Sequence, residues 1–257
     1  MNRIITTLFT IFIIQLLVVN KTLGNDGEVK DCFEKLNRVT FALNMGLDKV
    51  VFKPVSKGYR KLPSPIRTGT SNALNNLSNL ITIPNNILQG DFGSAANNSA
   101  RLIINTTLGI AGIFDPANSF GFEKRKKEDF GQSLGVMGVG EGCYLVLPVL
   151  GPSTVRDTVG SLIAMNGGDV WHNITVRDDE EYVKEFKESD YWVSRVTSGI
   201  DFRAKNLEAF DAMEKNSIDL YATVRSLYLQ DRKKKINNSS EKTKAMEDGD
   251  WDTLESQ

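Results

Sequence analysis

Apolar residues between positions 31 and 59 recur every three or four residues, which is the spacing of one helical face. Pro54 is expected to end or bend this helix, because proline lacks the N–H that an interior helical position requires. Pro63 and Pro65 then predict an extended or turn segment before the next helix. The periodic positions are Phe33, Leu36, Val39, Thr40, Leu43, Leu47 and Val50.

The stretch from Thr68 to Phe114 has helical periodicity but almost no charge. Asp91 and Arg101 are its only charged residues, and asparagine, serine and threonine fill the other polar positions. An asparagine-rich chain with an ordinary core would explain the asparagines. It would not explain the missing lysine and glutamate, which normally cover a solvent face and are costly at hydrocarbon depth. We therefore expect amphipathic helices that contact a membrane through Leu74, Leu77, Leu80, Ile81, Leu102, Ile103 and Leu108.

The segment from Glu128 to Gly160 combines a loop-forming backbone with apolar side chains. Between Phe130 and Val155 it has one charged residue, Glu141, and six glycines. Glycine at this density is costly inside a helix or a strand, so we predict a loop, with a short hairpin allowed at Tyr144 to Leu150. Such a segment packs into a core or contacts something apolar that is not protein, and lipid is one candidate. The residues selected for this role are Gly131, Gly135, Gly138, Gly140, Gly142 and Tyr144.

An alternative for the same glycines is that they merely permit close packing of helices.

Beyond Gly168 the composition becomes ordinary. Acidic residues at 178–181 suit a helix N-terminus, and apolar spacing predicts helices near 202–213 and 217–228. Residues 231–257 are highly charged and are predicted to form a disordered tail. Glycine and proline interrupt each apolar block of the mature chain, so no transmembrane helix is expected.

Charge and the N-terminal segment narrow the functional class. The 257 residues include 31 basic and 32 acidic side chains, so no overall field attracts the protein to nucleic acid. Residues 1–24 have an early cation, an apolar core and small residues before Gly24, as in a signal peptide cleaved there. An uncleaved anchor is the alternative. We expect an exported protein with one domain at 25–230 and the tail at 231–257.

The two cysteines, Cys32 and Cys143, fit two interpretations. Export places them in an oxidising compartment, where an even pair can form a disulfide. Two small buried hydrophobic side chains are the other interpretation, and the sequence leaves the choice open. Lipid attachment at Cys32 is rejected, because Asp31 precedes it and no apolar run with a small residue leads up to it.

One motif with catalytic precedent has to be weighed. Residues 131–135 match the G-x-S-x-G nucleophile elbow, with Ser133 as nucleophile and Asp157 or Asp169 and His172 as partners in hydrolase order. The elbow needs a buried strand before the serine, but the preceding residues are charged and the following ones are rich in glycine. A membrane-surface esterase or phospholipase that uses Ser133 is therefore the alternative function. The sequence has no metal-ligand cluster, phosphate loop or dinucleotide fingerprint, so no metal or cofactor is expected.

Several motifs in collinear order resemble those of one known family. They cover about residues 31–230, and the chain is similar to the MlaA (VacJ) family. Family members are usually lipoproteins, whereas no lipobox is found here, and they often have proline where Cys143 stands and threonine where Ser133 stands. The motifs are Phe33 to Asn44, Leu88 to Gly90, Arg101 to Asp115, Glu128 to Gly135, Tyr144 to Pro148 and Gly151 to Asp157.

The resemblance implies an all-α fold, a ring-like bundle of amphipathic helices in the inner leaflet of the outer membrane of Gram-negative cells. It implies a non-enzymatic channel that removes mislocalised phospholipid from the outer leaflet and passes it to a soluble periplasmic carrier, MlaC. Trimeric porins are the membrane partners that the resemblance implies. In this setting the glycine-rich segment is expected to act as a gate beside the channel mouth.

Overall fold

The computed structural model describes residues 29–124, 126–177 and 186–247, with the backbone alone at 177 and at 238–247. The predicted signal peptide at 1–24 and the acidic helix start at 178–181 lie outside the described residues. The described chain is helical apart from one short hairpin, as the all-α prediction requires.

The N-terminal half is a series of helices joined by short turns. Pro54 lies in the first turn of the second helix, directly after a π-helical segment, and the helical path continues past it, so the expected break or end at this residue is not found. Pro65 has the same position in the third helix. The elements are α1 (Glu34–Leu47), a π-helical segment (Asp48–Phe52), α2 (Lys53–Arg60), α3 (Ser64–Leu77), α4 (Asn79–Leu88), α5 (Phe92–Thr107) and the single turn α6 (Pro116–Ser119).

The glycine-rich segment is only partly a loop, so the prediction of a continuous loop is wrong. It contains helix α7 (Phe130–Val136), strands β1 (Tyr144–Leu147) and β2 (Gly151–Thr154), and helix α8 (Val155–Ile163). The strands pair antiparallel where the sequence allowed a hairpin, with Tyr144 opposite Thr154. The carboxylate of Asp129 caps α7 by accepting a hydrogen bond from the backbone N–H of Gln132 at 3.0 Å.

The remaining elements follow α8 in chain order. They are a π-type turn (Ala164–Gly168), the short helix α9 (Val170–His172), a second π-helical segment (Asn173–Arg177), α10 (Glu188–Lys205), α11 (Leu207–Asn216) and α12 (Leu220–Glu247).

The prediction of a disordered tail from Asp231 is wrong for residues 231–247, which continue α12. Arg232 is buried and forms ion pairs with Asp129 and Asp157, in the glycine-rich segment. Ile236, one turn further on, lies against Gly135. One face of a highly charged helix is therefore anchored to the domain, and overall polarity hides that face in the sequence. Residues 248–257 lie outside the described residues.

Contacts between the elements close a ring. Helix α1 packs against β1, which pairs with β2, and both β2 and α7 contact α12. Helix α7 also contacts α4, which packs on α5 and α3. Helix α3 contacts α10, α10 contacts α2, and α2 leads back through the π-helical segment to α1. The ring-like arrangement that the resemblance implied is confirmed.

The ring buries mainly polar side chains and exposes many large apolar ones, which is the reverse of an ordinary soluble domain. Among the described residues, buried polar or charged side chains outnumber buried apolar ones by more than two to one. Large apolar side chains are exposed instead, and contiguous surfaces of this kind mark interaction with membranes or partner proteins. The exposed stripe on α1 and the segment after it consists of Phe33, Leu36, Val39, Leu43 and Val50. Within the described ranges, none of the helices has the length and apolar content needed to cross a membrane.

Cys32 and Cys143 form a disulfide that joins the start of α1 to the residue before β1. Their Cα atoms lie 5.6 Å apart, within the usual range for a disulfide. The buried side chain of Asn37 strengthens the same junction, because it donates to the carbonyl of Tyr144 at 3.0 Å and accepts from the N–H of Val146 at 2.9 Å. The cysteines are thus paired rather than buried separately.

Candidate functional site

Several asparagines of the charge-poor stretch line a cavity of about 270 Å³. Helices α3, α4 and α5 form its walls and pack against one another. The periodicity of the asparagines did predict a common polar face, on which Asn76 and Asn79 are buried while Asn75 is exposed. The lining includes Asn72, Asn76, Asn79, Arg101, Asn105 and Lys124.

The guanidinium of Arg101 is neutralised in the wall of this cavity. Its Nη2 donates to both oxygens of the Asp115 carboxylate, at 2.8 and 2.9 Å. Asn105 donates to the same carboxylate at 2.8 Å. Burial raises the pKa of Asp115, but hydrogen bonds from Asn105 and Arg101 and the Arg101 charge outweigh burial and hold the pKa below its usual value. The cavity is therefore strongly polar with little net charge.

A second polar cleft, of about 300 Å³, lies further along α5 and reaches α12. Lys124 borders both spaces, so the two cavities adjoin. The rim of the second cleft carries lysines and carboxylates side by side, including Lys126, Lys234 and Glu123. Both spaces are lined largely by polar and charged side chains.

Ser133 does not occupy a nucleophile elbow. It lies inside α7, is 2% exposed, and its Oγ donates to Asn85 Oδ1 at 2.6 Å. Gln89 donates to the same Oγ at 3.1 Å and to Glu128 at 3.1 Å, which links α4 to α7. Burial raises the pKa of Glu128. The strand-turn-helix geometry that the esterase alternative requires is replaced by a helix, and Ser133 serves as a packing contact.

The proposed partners of Ser133 have other structural roles. The carboxylate of Asp169 caps α9 by accepting from the backbone N–H groups of Trp171 and His172. The ring of His172 packs edge-on against that of Tyr191, with 4.9 Å between centroids. Asp157 forms ion pairs with two arginines of the α8 and α12 region. Within the described part of the chain, Ser133 Oγ bonds to Asn85, Gln89 and the Asp129 carbonyl rather than to His172, so the triad is not assembled.

Two of the predicted gate glycines are packing positions. A Cβ atom on Gly131 would lie 2.5 Å from the Asp157 carboxylate and 2.7 Å from the Arg232 guanidinium. A Cβ atom on Gly135 would lie 2.6 Å from the side chain of Ile236. Both glycines therefore let α8 and α12 approach α7 closely, as the packing alternative stated. The prediction that they belong to a mobile loop is wrong.

The other gate glycines lie in the turn between α7 and β1. Gly138 has a φ of 88° and nothing within 4 Å of a built Cβ, and Gly140 has equal space without a positive φ. Gly142 has a φ of 69°, and its Cβ would lie 3.0 Å from Val155. Gly138 and Gly140 are thus the positions of this turn where no neighbouring atoms restrict a side chain. A gating role for the turn is still a prediction.

Gly138→Val is expected to lower the free energy of unfolding by about 1 to 3 kcal/mol, because a β-branched residue must then adopt a left-handed backbone. Gly140→Val should change it by less than about 0.5 kcal/mol, because neither space nor φ opposes the side chain. Thermal unfolding of the two variants in the same detergent measures the difference. Equal stabilities would contradict the backbone argument, and altered lipid transport by Gly140→Val at normal stability would support a gate.

Tyr144 is not at the membrane surface. It is fully buried, its ring packs against Tyr221 and Tyr228, and its hydroxyl has no hydrogen-bond partner among the described residues. Burial raises the pKa of the phenol to about 12. Tyr144, which was grouped with the glycines of the lipid-contacting segment, is instead a buried packing residue, because the hairpin turns this side chain toward α12.

The predicted membrane-contact residues divide into three groups. Ile81 is 8% exposed and packs with Phe130 and Ala164, so its prediction as a membrane contact is wrong. Leu74 and Leu77 are half-buried and line a crevice with residues of α9 and α10, while Leu80 and Leu102 are also half-buried. Ile103 and Leu108 are exposed, at 63% and 65%. Helical periodicity identified apolar faces but not which of them is covered by a neighbouring helix.

Sequence reasoning missed the burial of Asn76 and Asn79 and the anchoring role of Arg232. The asparagines did carry a signal, since Asn72, Asn76 and Asn79 share one helical face across α3 and α4. Gly112, with a φ of 86°, lies so close to Asn76 that a Cβ would be 2.5 Å from its Cβ. Arg232 carried no signal, because it stands in a run of lysines.

The fold and the site define a class of protein: a helical ring that is polar inside and apolar outside, suited to handling amphipathic molecules at a membrane. Residues 29–235 match the family model described as MlaA lipoprotein, and the chain belongs to this family. The family resemblance found in the sequence is confirmed.

Relatives and a solved structure agree with this assignment. The chain is 33% identical over 221 residues to the intermembrane phospholipid transport system lipoprotein MlaA of Escherichia coli, covering 84% of this chain and 82% of that protein. The protein of the same name from Haemophilus influenzae is 29% identical over 219 residues, with 82% and 81% covered. An uncharacterised protein of Rickettsia prowazekii is 34% identical over 200 residues, with 77% and 75% covered.

A solved structure, described as "Structural basis for maintenance of bacterial outer membrane lipid asymmetry", contains a chain with a similar fold. The TM-score is 0.67 at 29% sequence identity, and the match covers 80% of this chain and 99% of that one.

Proposed function

We propose that this protein transports phospholipid at the outer membrane and thereby maintains the lipid asymmetry of that membrane. The observation that carries the proposal is the inverted burial of the ring. Asparagine-lined cavities suit a polar headgroup, and the apolar outer stripes suit acyl chains and the leaflet. The names of the relatives and the subject of the similar structure support the same process.

In the proposed arrangement the ring lies in the inner leaflet of the outer membrane. Its exposed apolar side chains meet hydrocarbon, while the charged surface of α12 and the lysines between α6 and α7 (Lys124, Lys126 and Lys127) face the periplasm. Phospholipid that has reached the outer leaflet enters the polar interior and leaves toward a soluble periplasmic carrier. Trimeric porins hold the ring in place beside them. The protein carries out no bond-making step in this proposal.

Deleting the gene in its own host, or a relative's gene in a tractable one, tests the function. Outer-leaflet phospholipid, measured by its accessibility to an externally added lipase, is expected to rise on deletion and to fall again when this chain is expressed. A chain that is present in the membrane at normal abundance but does not lower outer-leaflet phospholipid would overturn the proposal.

Ile103→Glu combined with Leu108→Glu is expected to weaken vesicle association by about 2 to 3 kcal/mol per charge that reaches the hydrocarbon. Both side chains are exposed, so the fold should tolerate the changes. Flotation of purified protein with phospholipid vesicles measures the association. The matched control is Ser226→Glu with Gln230→Glu, two added charges on an exposed part of α12. Equal loss in both variants would mean that charge, not the apolar face, governs binding.

A further inference from the structure

Two buried carboxylates line the cleft between α5 and α12 without a basic partner. Asp91 is 5% exposed and Glu128 is 6% exposed. Asp91 accepts from the backbone N–H of Ser94 at 2.9 Å, and Glu128 Oε2 accepts from Gln89 Nε2 at 3.1 Å. Within the part of the chain that the structure describes, neither carboxylate forms an ion pair, and Glu128 Oε1 accepts no hydrogen bond. Because a buried carboxylate is normally paired, this wall of the cleft is complementary to a cation.

The nearby arginine does not supply that cation. Arg232 forms its ion pairs with Asp129 and Asp157. Burial and the charges of Asp129 and Asp91 outweigh the one hydrogen bond that Glu128 accepts and raise the pKa of its carboxyl. A cation beside Asp91 and Glu128 would offset both the burial and the repulsion between the two carboxylates.

The mouth of the same cleft has the opposite charge. Among the described residues the rim has five exposed lysines and two exposed carboxylates, Glu123 and Asp231. One of the lysines pairs with Asp231, whereas Lys124, Lys126 and Lys234 form no ion pair within the described ranges. Lysine ammonium groups bind phosphate as point charges. The cleft therefore combines a buried acidic wall with an exposed basic rim.

A group with a positive and a negative end fits this arrangement. An ethanolamine phosphodiester has an ammonium group for the buried carboxylates and a phosphate for the exposed lysines. The cleft has a volume of about 300 Å³, whereas one water molecule needs only about 10 to 15 Å³ of such space. A headgroup of several non-hydrogen atoms can therefore enter it.

We propose that this cleft binds a zwitterionic headgroup, with its ammonium group against Asp91 and Glu128 and its phosphate against the lysines of the rim. The proposal rests on the proposed transport function and specifies its substrate class. The same chemistry occurs in a phospholipid and in a soluble ester of phosphoethanolamine. A lysine-rich rim acting alone would instead favour an anionic headgroup, so the order of preference between the two headgroup types reports on the carboxylates.

The test uses the purified full chain. Vesicles contain equal amounts of phosphatidylethanolamine and phosphatidylglycerol with the same acyl chains. The protein is recovered in mild detergent, and its bound lipid is quantified by mass spectrometry. Phosphatidylethanolamine is expected to be retained about tenfold better than phosphatidylglycerol, a ratio that corresponds to about one hydrogen bond to a charged group.

Two variants separate the acidic wall from the basic rim. Glu128→Gln keeps the shape of the side chain and an oxygen that can accept from Gln89, but it removes the charge, so the preference for phosphatidylethanolamine should be lost. Lys234→Ala should lower the retention of both lipids by the same factor and leave the preference unchanged. Lys233→Ala, exposed on the same helix and outside the cleft, is the matched control and should alter neither. Far-UV circular dichroism establishes that the variants are folded.

A second substitution keeps the test decisive if Glu128→Gln does not fold. Asp91→Asn removes the other buried charge, and asparagine is an equally good N-cap for α5, so the helix start is preserved. This variant should also lose the preference for phosphatidylethanolamine.

The outcomes separate this proposal from the proposed function. Retention of phosphatidylglycerol at or above the level of phosphatidylethanolamine overturns the zwitterion site and leaves transport intact. An unchanged preference in folded Glu128→Gln and Asp91→Asn also overturns it. Retention of no phospholipid at all argues against the proposed function itself.

Competition with soluble glycerophosphoethanolamine distinguishes the two sources of the headgroup. A fall in bound phosphatidylethanolamine, with no fall when glycerophosphoglycerol is added, means that the headgroup alone occupies the cleft. Retention that the soluble ester does not reduce, together with the tenfold lipid preference, identifies the intact phospholipid as the ligand.

Discussion

Arg232→Ala is expected to lower the free energy of unfolding by about 3 to 5 kcal/mol, the usual cost of removing one partner from a buried ion pair. The Arg232 guanidinium donates to Asp129 at 2.7 and 2.9 Å and to Asp157 at 2.7 Å. The side chains of Arg232 and Asp157 are only 8% and 7% exposed, so water cannot replace the lost partner. The substitution would remove one of the two arginines that pair with the buried Asp157 carboxylate, remove the arginine that pairs with Asp129, and detach α12 from α7.

Thermal or chemical unfolding in detergent measures this effect, with Lys233→Ala as the control. Lys233 is the next residue on the same helix and is exposed, so its removal should change stability by less than about 0.5 kcal/mol. Limited proteolysis after residue 220 should be faster in Arg232→Ala, because the anchored face of α12 is released. Similar stability of the two variants would show that the C-terminal helix is not part of the cooperative domain.

The same network predicts acid sensitivity. Burial raises the pKa of Asp157, but the charges of Arg232 and Arg156 and hydrogen bonds from Arg232 and Tyr228 outweigh burial and lower it. A carboxylate with a lowered folded-state pKa contributes stability above its unfolded pKa of about 3.9 and loses that contribution as pH falls further. When the pH is lowered below about 4, the thermal unfolding midpoint of the native protein should therefore fall. The midpoint of Arg232→Ala should fall by less. If the midpoints of the native protein and Arg232→Ala fall by the same amount, the acid sensitivity does not come from the pairing of Asp157 with Arg232.

Removing the Cys32–Cys143 disulfide is expected to cost up to about 4 to 5 kcal/mol in the chain-entropy model, because the bond closes a loop of more than 100 residues. The sequence separation is 111 residues, and the bond joins the start of α1 to the hairpin. Without it the ring would depend on the contacts of α1 with β1, among them those of Asn37, for closure at this point.

Titration of free thiols in denatured, unreduced protein checks the bond first, and two thiols per chain would rule it out. Unfolding is then compared with and without reductant, and with Cys32→Ser combined with Cys143→Ser. Reductant should destabilise the native protein and leave the double variant unchanged. A native protein insensitive to reductant would mean that the noncovalent contacts of α1 with the hairpin suffice.

The local chemistry of the chain was sufficient to predict a mainly helical fold and to allow for the hairpin. Apolar spacing located α1 and the helices of the charge-poor stretch, and the absence of charge between Thr68 and Phe114 indicated an unusual environment. The motifs around Arg101 and Gly131 also led to the correct family. These are signals carried by neighbouring residues, so no tertiary information is needed to detect them.

Tertiary structure alone decided which faces are inside. A helical period shows that a face is apolar, but Ile81 is covered by α7 and α8 whereas Ile103 is open, and this difference comes from helices far away in the sequence. Tyr144 is buried by α12, and Arg232 pairs with carboxylates 75 and 103 residues away. Burial and long-range ion pairs depend on how the ring closes, so the buried asparagines and the anchored C-terminal helix became visible only in the folded chain.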